Sequence, residues 1–135
     1  MPAFLPRTVL RAMGLGLLLC AGCAHGGHRP APGGEEEGLA GYYAPQFEGR
    51  KTASGALFHH EALTCAHRTL PFGTVIEVAR VDDGRSVRVT VTDRGPFVRA
   101  RIVDLTLRAA RELGLVKQGL ARVRLRVVRP ASGAR

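Results

Sequence analysis

The sequence predicts a small, mainly β domain, a closed or nearly closed barrel of short strands with one helix. Three observations carry this. First, Val87, Val89 and Val91 alternate with Arg88, Thr90 and Thr92, and Val123, Leu125 and Val127 alternate with Arg122, Arg124 and Arg126. Period-two alternation gives a strand one buried and one wet face. Second, a single helical pattern interrupts the strands. Third, the globular stretch, residues 39–129, is long enough for one core and no more.

Each element has its own signal. Residues 39–43 and 63–66 are short strand candidates, and 74–81 is a longer β-rich run. Asp83-Gly84 separates that run from the valine strand, a good hairpin signal. Residues 101–105 read as a further strand. Thr106 then caps a helix whose Leu107, Ala110 and Leu113 share one face, and Gly114 ends it. Short strands with one helix at this length suggest a barrel. Periodicity does not give the strand order.

The N-terminus reads as a secretory signal over residues 1–22: Arg7 and Arg11, an apolar run over 13–20, then Ala21 and Gly22 before Cys23. The run is too short to span a bilayer stably. Small residues directly before Cys23 resemble a bacterial lipobox. The resemblance implies a lipid on Cys23, cleavage before it, and a chain exported and anchored in an envelope membrane. The outer membrane, facing the periplasm, is expected. The position three before Cys23 is Cys20, where such motifs usually have leucine. Cys20, Cys23, His25 and His28 also have ligand-like spacing, but nothing frames them as a site. No metal and no cofactor are expected. Residues 23–38 (His, Gly, Pro, Ala and the triplet Glu35, Glu36, Glu37) read as a flexible tether, with the triplet solubilising. Residues 130–135 read as a tail. Cys65 is left unpaired, which suits an exported domain that does not depend on disulfides.

The net charge is +9, most of it from arginines scattered along strands, with no Trp and 5% aromatics. This disfavours nucleic acid as a partner, which would call for basic residues clustered with aromatics. An anionic wall polymer or lipid surface fits an exported basic domain better.

The stretch "VTDRGPF" (91–97) raises the chemical question. Gly95 and Pro96 break the chain, so Asp93 and Arg94 sit where a strand stops. Asp93 is either a turn-capping carboxylate or a group held there for chemistry. Cys65 near His67 gives a weak thiol-nucleophile reading, since nothing marks an oxyanion site.

Three blocks, "GYYAPQFEGRKTASG" (41–55), "ALTCAHRTLPFGTVIEV" (62–78) and "VRVTVTDRGPFVRARIVDLTLRAARELGL" (87–115), then "GLARVRLRVV" (119–128), closely resemble the RlpA (rare lipoprotein A-like) family in order and spacing. The resemblance covers the whole domain. It implies a six-stranded double-psi β-barrel, shared with barwin-like proteins and expansins. It also implies lytic transglycosylase activity on peptidoglycan glycan strands, particularly strands stripped of peptide stems. By the same resemblance Asp93 is the catalytic acid and His67 its partner.

The implied reaction needs only one carboxyl group. An acid protonates the leaving glycosidic oxygen. The muramic acid C6 hydroxyl attacks C1 and closes a 1,6-anhydro ring, and the same group takes up its proton. Such an acid should have a raised pKa. Arg94 beside it should therefore point away, toward substrate or a structural carboxylate such as Asp104. Tyr42, Tyr43 and Phe97 are candidates for stacking on sugar rings or for ordinary packing. The chain departs from the family at two positions: a glutamate often found after the T-A-S-G turn is Ala56, and an aspartate three residues later is His59. Glu61 is a candidate substitute carboxylate. The competing reading is a non-catalytic glycan-binding or wall-loosening lipoprotein, and Ala56 is the feature that favours it.

Overall fold

The computed structural model describes residues 34–133. Its elements are β1 (Glu35–Tyr42), a 3-10 turn (Pro45–Phe47), β2 (Thr64–His67), β3 (Val75–Arg80), β4 (Ser86–Asp93), β5 (Arg101–Leu105), α1 (Leu107–Leu113) and β6 (Ala121–Arg129). The strands close into a barrel in the order β1-β5-β2-β4-β3-β6. The pairs β1–β5 and β2–β4 are parallel, and the other four are antiparallel. This is the six-stranded double-psi barrel that the sequence leads one to expect.

The alternating strands bury the faces their sequences assign. Val87, Val89 and Val91 of β4, Ile76 and Val78 of β3, and Val123 and Leu125 of β6 fill the core with Val103 and Leu105 of β5. The helix closes this core with Ala109, Ala110 and Leu113. The Thr106 hydroxyl accepts from the Ala109 amide at 3.3 Å, and Gly114 takes φ 72° to donate to the Ala110 and Arg111 carbonyls. That left-handed conformation favours glycine. Between β3 and β4 the hairpin tip is tied to the helix by Arg80. Its guanidinium bonds Asp82 and donates to the Gly114 carbonyl at 2.8 Å.

The domain boundary read at residue 39 is corrected by the structure. β1 begins at Glu35, and Glu35–Gly38 pair in register with Arg126–Val123 of β6. The acidic triplet is therefore strand, not tether. Glu37 bonds Arg122 at 2.7 Å and Arg124 at 3.3 Å. Composition alone shows three exposed charges; the partner strand supplies arginines on the facing register, and opposite charges across a strand pair are stabilising. The signal segment, Cys23 and the tether up to residue 33 lie outside the described residues.

Candidate functional site

The chain brings three elements to the C-terminal end of β4. Between Cys65 and Ala66 of β2 the β2–β4 register shifts, so that Cys65 faces Val91 but Ala66 faces Asp93. The irregularity re-aims the end of β4. Residues 52–55 form a turn, with the Gly55 amide donating to the Thr52 carbonyl at 3.0 Å, and the Ser54 amide docks this turn on the Thr92 carbonyl at 3.1 Å.

Asp93 joins these pieces. Its Oδ2 accepts from the Tyr43 hydroxyl at 2.7 Å, and its Oδ1 accepts from the Ala53 and Arg94 amides, each at 2.9 Å. Three donors on two oxygens suit a carboxylate, which only accepts. Asp93 thus does the work of a turn cap and also fixes the 52–55 turn. Tyr43 packs its ring against Phe58 at 4.4 Å and Phe47 at 5.4 Å. Burial, reinforced by the hydrogen bond to Asp93, pushes the Tyr43 hydroxyl above its ordinary range, so it remains a donor.

A second carboxylate shares the row. Asp104 of β5 is in register with Ala66 of β2, which is in register with Asp93, and on its other side Asp104 faces Gly41 of β1. In-register residues on neighbouring strands project from the same face, and two strand spacings put these carboxylates' backbones roughly 10 Å apart. Gly41 and Ala66 keep the row low. Asp104 Oδ2 is 3.0 Å from Arg101 Nη2, while its Oδ1 is buried with no hydrogen-bond partner among the described residues. Burial raises the Asp104 pKa, and Arg101 only partly opposes this. In the sequence Asp104 reads only as a structural carboxylate. The available signal was a charged residue between Val103 and Leu105, both fully buried.

The remaining candidates fall elsewhere. His67 is buried at 2% exposure; its Nε2 lies 2.9 Å from Glu36 Oε2, and its Nδ1 accepts from the Thr69 and Leu70 amides at 3.2 and 3.1 Å. It makes no hydrogen bond to Asp93 among the described residues, and its burial keeps it off a sugar. The expected acid–histidine pair is replaced by Glu36–His67, which pins the 67–70 turn. The Arg94 side chain leaves Asp93 as expected, but not toward Asp104, whose partner is Arg101. It donates to the Leu70 and His67 carbonyls at 2.8 and 3.2 Å and lies 3.9 Å over the Phe72 ring.

Glu61 faces α1, where its carboxylate pairs with Arg111 at 3.3 Å. It is held at the helix rather than at Asp93. Phe97 is 85% exposed on the loop after Asp93, free to meet a ligand. Tyr42 packs on the core and donates to the Val116 carbonyl at 3.3 Å, which removes it as a sugar platform. Burial pushes the Cys65 thiol up, with the Asp104 charge adding to it, so Cys65 is no nucleophile.

Comparison with known proteins agrees with this fold. A family model described as "Lytic transglycolase" matches residues 35–125, starting at the first residue of β1. A probable endolytic peptidoglycan transglycosylase RlpA of Synechocystis sp. is 48% identical over 91 residues, 67% of this chain and 28% of the relative. Its counterpart in Aquifex aeolicus is 40% identical over 128 residues, 93% of this chain and 56% of the relative. The chain thus spans between about a quarter and just over half of these relatives. Among solved structures, the Streptomyces papain inhibitor superposes with a TM-score of 0.58 at 25% identity, covering 73% of this chain and 98% of that one. With a family model matched across its whole barrel and relatives of this identity, the chain belongs to the RlpA family of lytic transglycolases.

Proposed function

We propose that this protein is a peptidoglycan lytic transglycosylase whose reacting groups are Asp104 and Asp93. The single observation that carries the reading is the row Gly41–Asp104–Ala66–Asp93, two carboxylates separated by Ala66 and flanked by Gly41. The named relatives act on peptidoglycan, which supplies the substrate class. The two carboxyl groups have unlike surroundings, as an acid and a base require. Asp104, whose pKa burial raises, donates a proton to the leaving glycosidic oxygen. The muramic acid C6 hydroxyl attacks C1, the C1–O bond breaks, and Asp93 takes the hydroxyl proton. The products are a free 4-hydroxyl end and a 1,6-anhydro end, with no water consumed. Peptide-stripped strands are the favoured substrate, and Phe97 offers an exposed ring for a sugar.

The test is mass spectrometry of purified glycan strands after incubation with the full chain. Anhydro-ended products should appear with wild type and fall about 10²–10⁴-fold with Asp104→Asn and with Asp93→Asn, the range for a general acid–base residue. If only Asp93→Asn is damaging, one carboxylate does both proton transfers and Asp104 is structural. A second reading, a non-catalytic glycan binder, is favoured by Ala56, which puts no carboxylate beside the 52–55 turn. It is the outcome if wild type retains strands in a pull-down but releases no products.

The reading includes an anchor. Cys23 carries the lipid and residues 24–34 lead from it to β1, so the barrel works at an envelope membrane, the outer one, facing the periplasm. Cys23→Ser should move the protein from the membrane to the soluble fraction once the signal is removed, since each buried acyl CH₂ contributes about 0.8 kcal/mol. Unchanged fractionation would overturn the anchor.

A further inference from the structure

At the other end of β4 from Asp93, Arg85, Arg111, Gly114, Val116 and Lys117 line an open cavity of about 320 Å³. Three of the five are cations, and no carboxylate is among them. Arg85 and Lys117 form no ion pair among the described residues, and Arg111 has only its 3.3 Å contact with the exposed Glu61. Arg85 is held rather than loose. Its amide donates to Asp83 Oδ1 at 2.9 Å, its carbonyl accepts from the Arg80 amide at 2.8 Å, and its guanidinium lies over Gly114, where a Cβ would collide with Nη1.

The end of α1 does not account for this concentration of charge. A helix C-terminus attracts cations, but here the carbonyls of Leu113 and Gly114 accept from Arg80, and those of Ala110 and Arg111 accept from the Gly114 amide. These four carbonyls are satisfied without Arg85 and Lys117. Like charges converging on one concavity repel each other unless an anion sits between them. Guanidinium forks match tetrahedral oxyanions in particular. The cavity is also remote from the cleft: the eight residues of β4 separate Arg85 from Asp93 by roughly 25 Å.

We propose that the Arg85–Arg111–Lys117 cavity binds a phosphate group, at a site separate from the Asp93–Asp104 cleft and independent of the activity assigned there. The phosphate belongs either to an anionic lipid headgroup or to a soluble phosphate compound. The full chain is titrated with inorganic pyrophosphate while the Gly114 and Lys117 amide resonances are followed. It is also sedimented with phosphatidylcholine vesicles with and without phosphatidylglycerol. Saturable shifts at both amides are expected, with affinity weakened roughly tenfold in Arg85→Gln/Lys117→Gln, the scale of losing charge-assisted bonds. Arg99→Gln/Arg129→Gln, which removes equal charge elsewhere on the surface, should bind like wild type. Melting temperatures of both double variants should match wild type, and Lys117→Gln alone serves should the first not fold. If phosphatidylglycerol-dependent sedimentation also falls in Arg85→Gln/Lys117→Gln, the source is a lipid headgroup. If pyrophosphate alone responds, it is a soluble phosphate. Absence of saturable shifts, or equal weakening in both double variants, overturns the site.

Discussion

Asp93 and Asp104 show how two like residues in one barrel acquire different chemistry. Asp93 is surrounded by donors: a tyrosine hydroxyl and two amides. Among the described residues, Asp104 has one arginine contact and a buried oxygen with none. Its raised pKa has a consequence for stability. A carboxyl whose folded pKa lies above its unfolded value contributes fully below the unfolded pKa, and that contribution is lost as pH rises through the folded pKa. Asp104→Asn stays neutral throughout. The variant's melting temperature relative to wild type should therefore increase from acid to neutral pH, as thermal melts across that range would record. A difference that is flat or falls would show that Asp104 is not destabilised as an anion. Tyr43→Phe tests the other carboxylate. It removes a 2.7 Å bond to Asp93 while keeping the ring against Phe58. Urea denaturation should register a loss of about 1.5–3 kcal/mol, the range for a hydrogen bond to a charged group. An unchanged midpoint would mean that water replaces the bond at no cost.

Among the elements, β1 differs most from its sequence appearance. Glycine at 38 and three glutamates argue against a strand by propensity, yet Glu35–Gly38 pair with β6, and Gly38 packs so close to Ile102 that a Cβ there would clash with its side chain. Glu37 lies between Arg122 and Arg124, which hold its carboxyl below the usual range. Glu36 reaches the buried His67. A chain starting at residue 35 should therefore fold like the longer one, whereas a chain starting at residue 39 should melt lower and lose amide protection in β6. Equal melting temperatures would return residues 35–38 to the tether. By contrast α1 behaves as its sequence reads, because a cap at Thr106, a stop at Gly114 and an apolar face between them are all local. Substituting Thr106 by Ala should cost about 0.5–2 kcal/mol in the same denaturation assay.

Taken whole, the barrel distributes its work between two regions that β4 connects. One end carries the carboxylate row, held by the 52–55 turn and by the 67–70 turn that His67 and Arg94 brace. The other end carries the hairpin, the end of α1 and the basic cavity, held by Arg80. Because the strands between them are buried on their inner faces, the two ends are rigidly spaced, and substitutions at one should leave the other unaltered when their effects are combined.

The sequence by itself determined what short range can encode. Alternation gave the inner faces of β4 and β6, Asp83-Gly84 the hairpin, Thr106 and Gly114 the limits of the helix, and Gly95-Pro96 the point where β4 stops at Asp93. The motif blocks gave the family. The tertiary structure alone decided which residues meet. Glu36 and His67 are brought together from β1 and β2 although they lie 31 residues apart in the sequence. Asp104 shares a row with Asp93 only because β2 pairs antiparallel with β5 and parallel, with a shifted register, with β4. Glu61, close in sequence to the 52–55 turn, lies beside Arg111 of α1 instead. Local propensity and period fix the direction of a side chain within its own strand. The register between strands fixes its neighbours, and a one-residue shift in register changes them all.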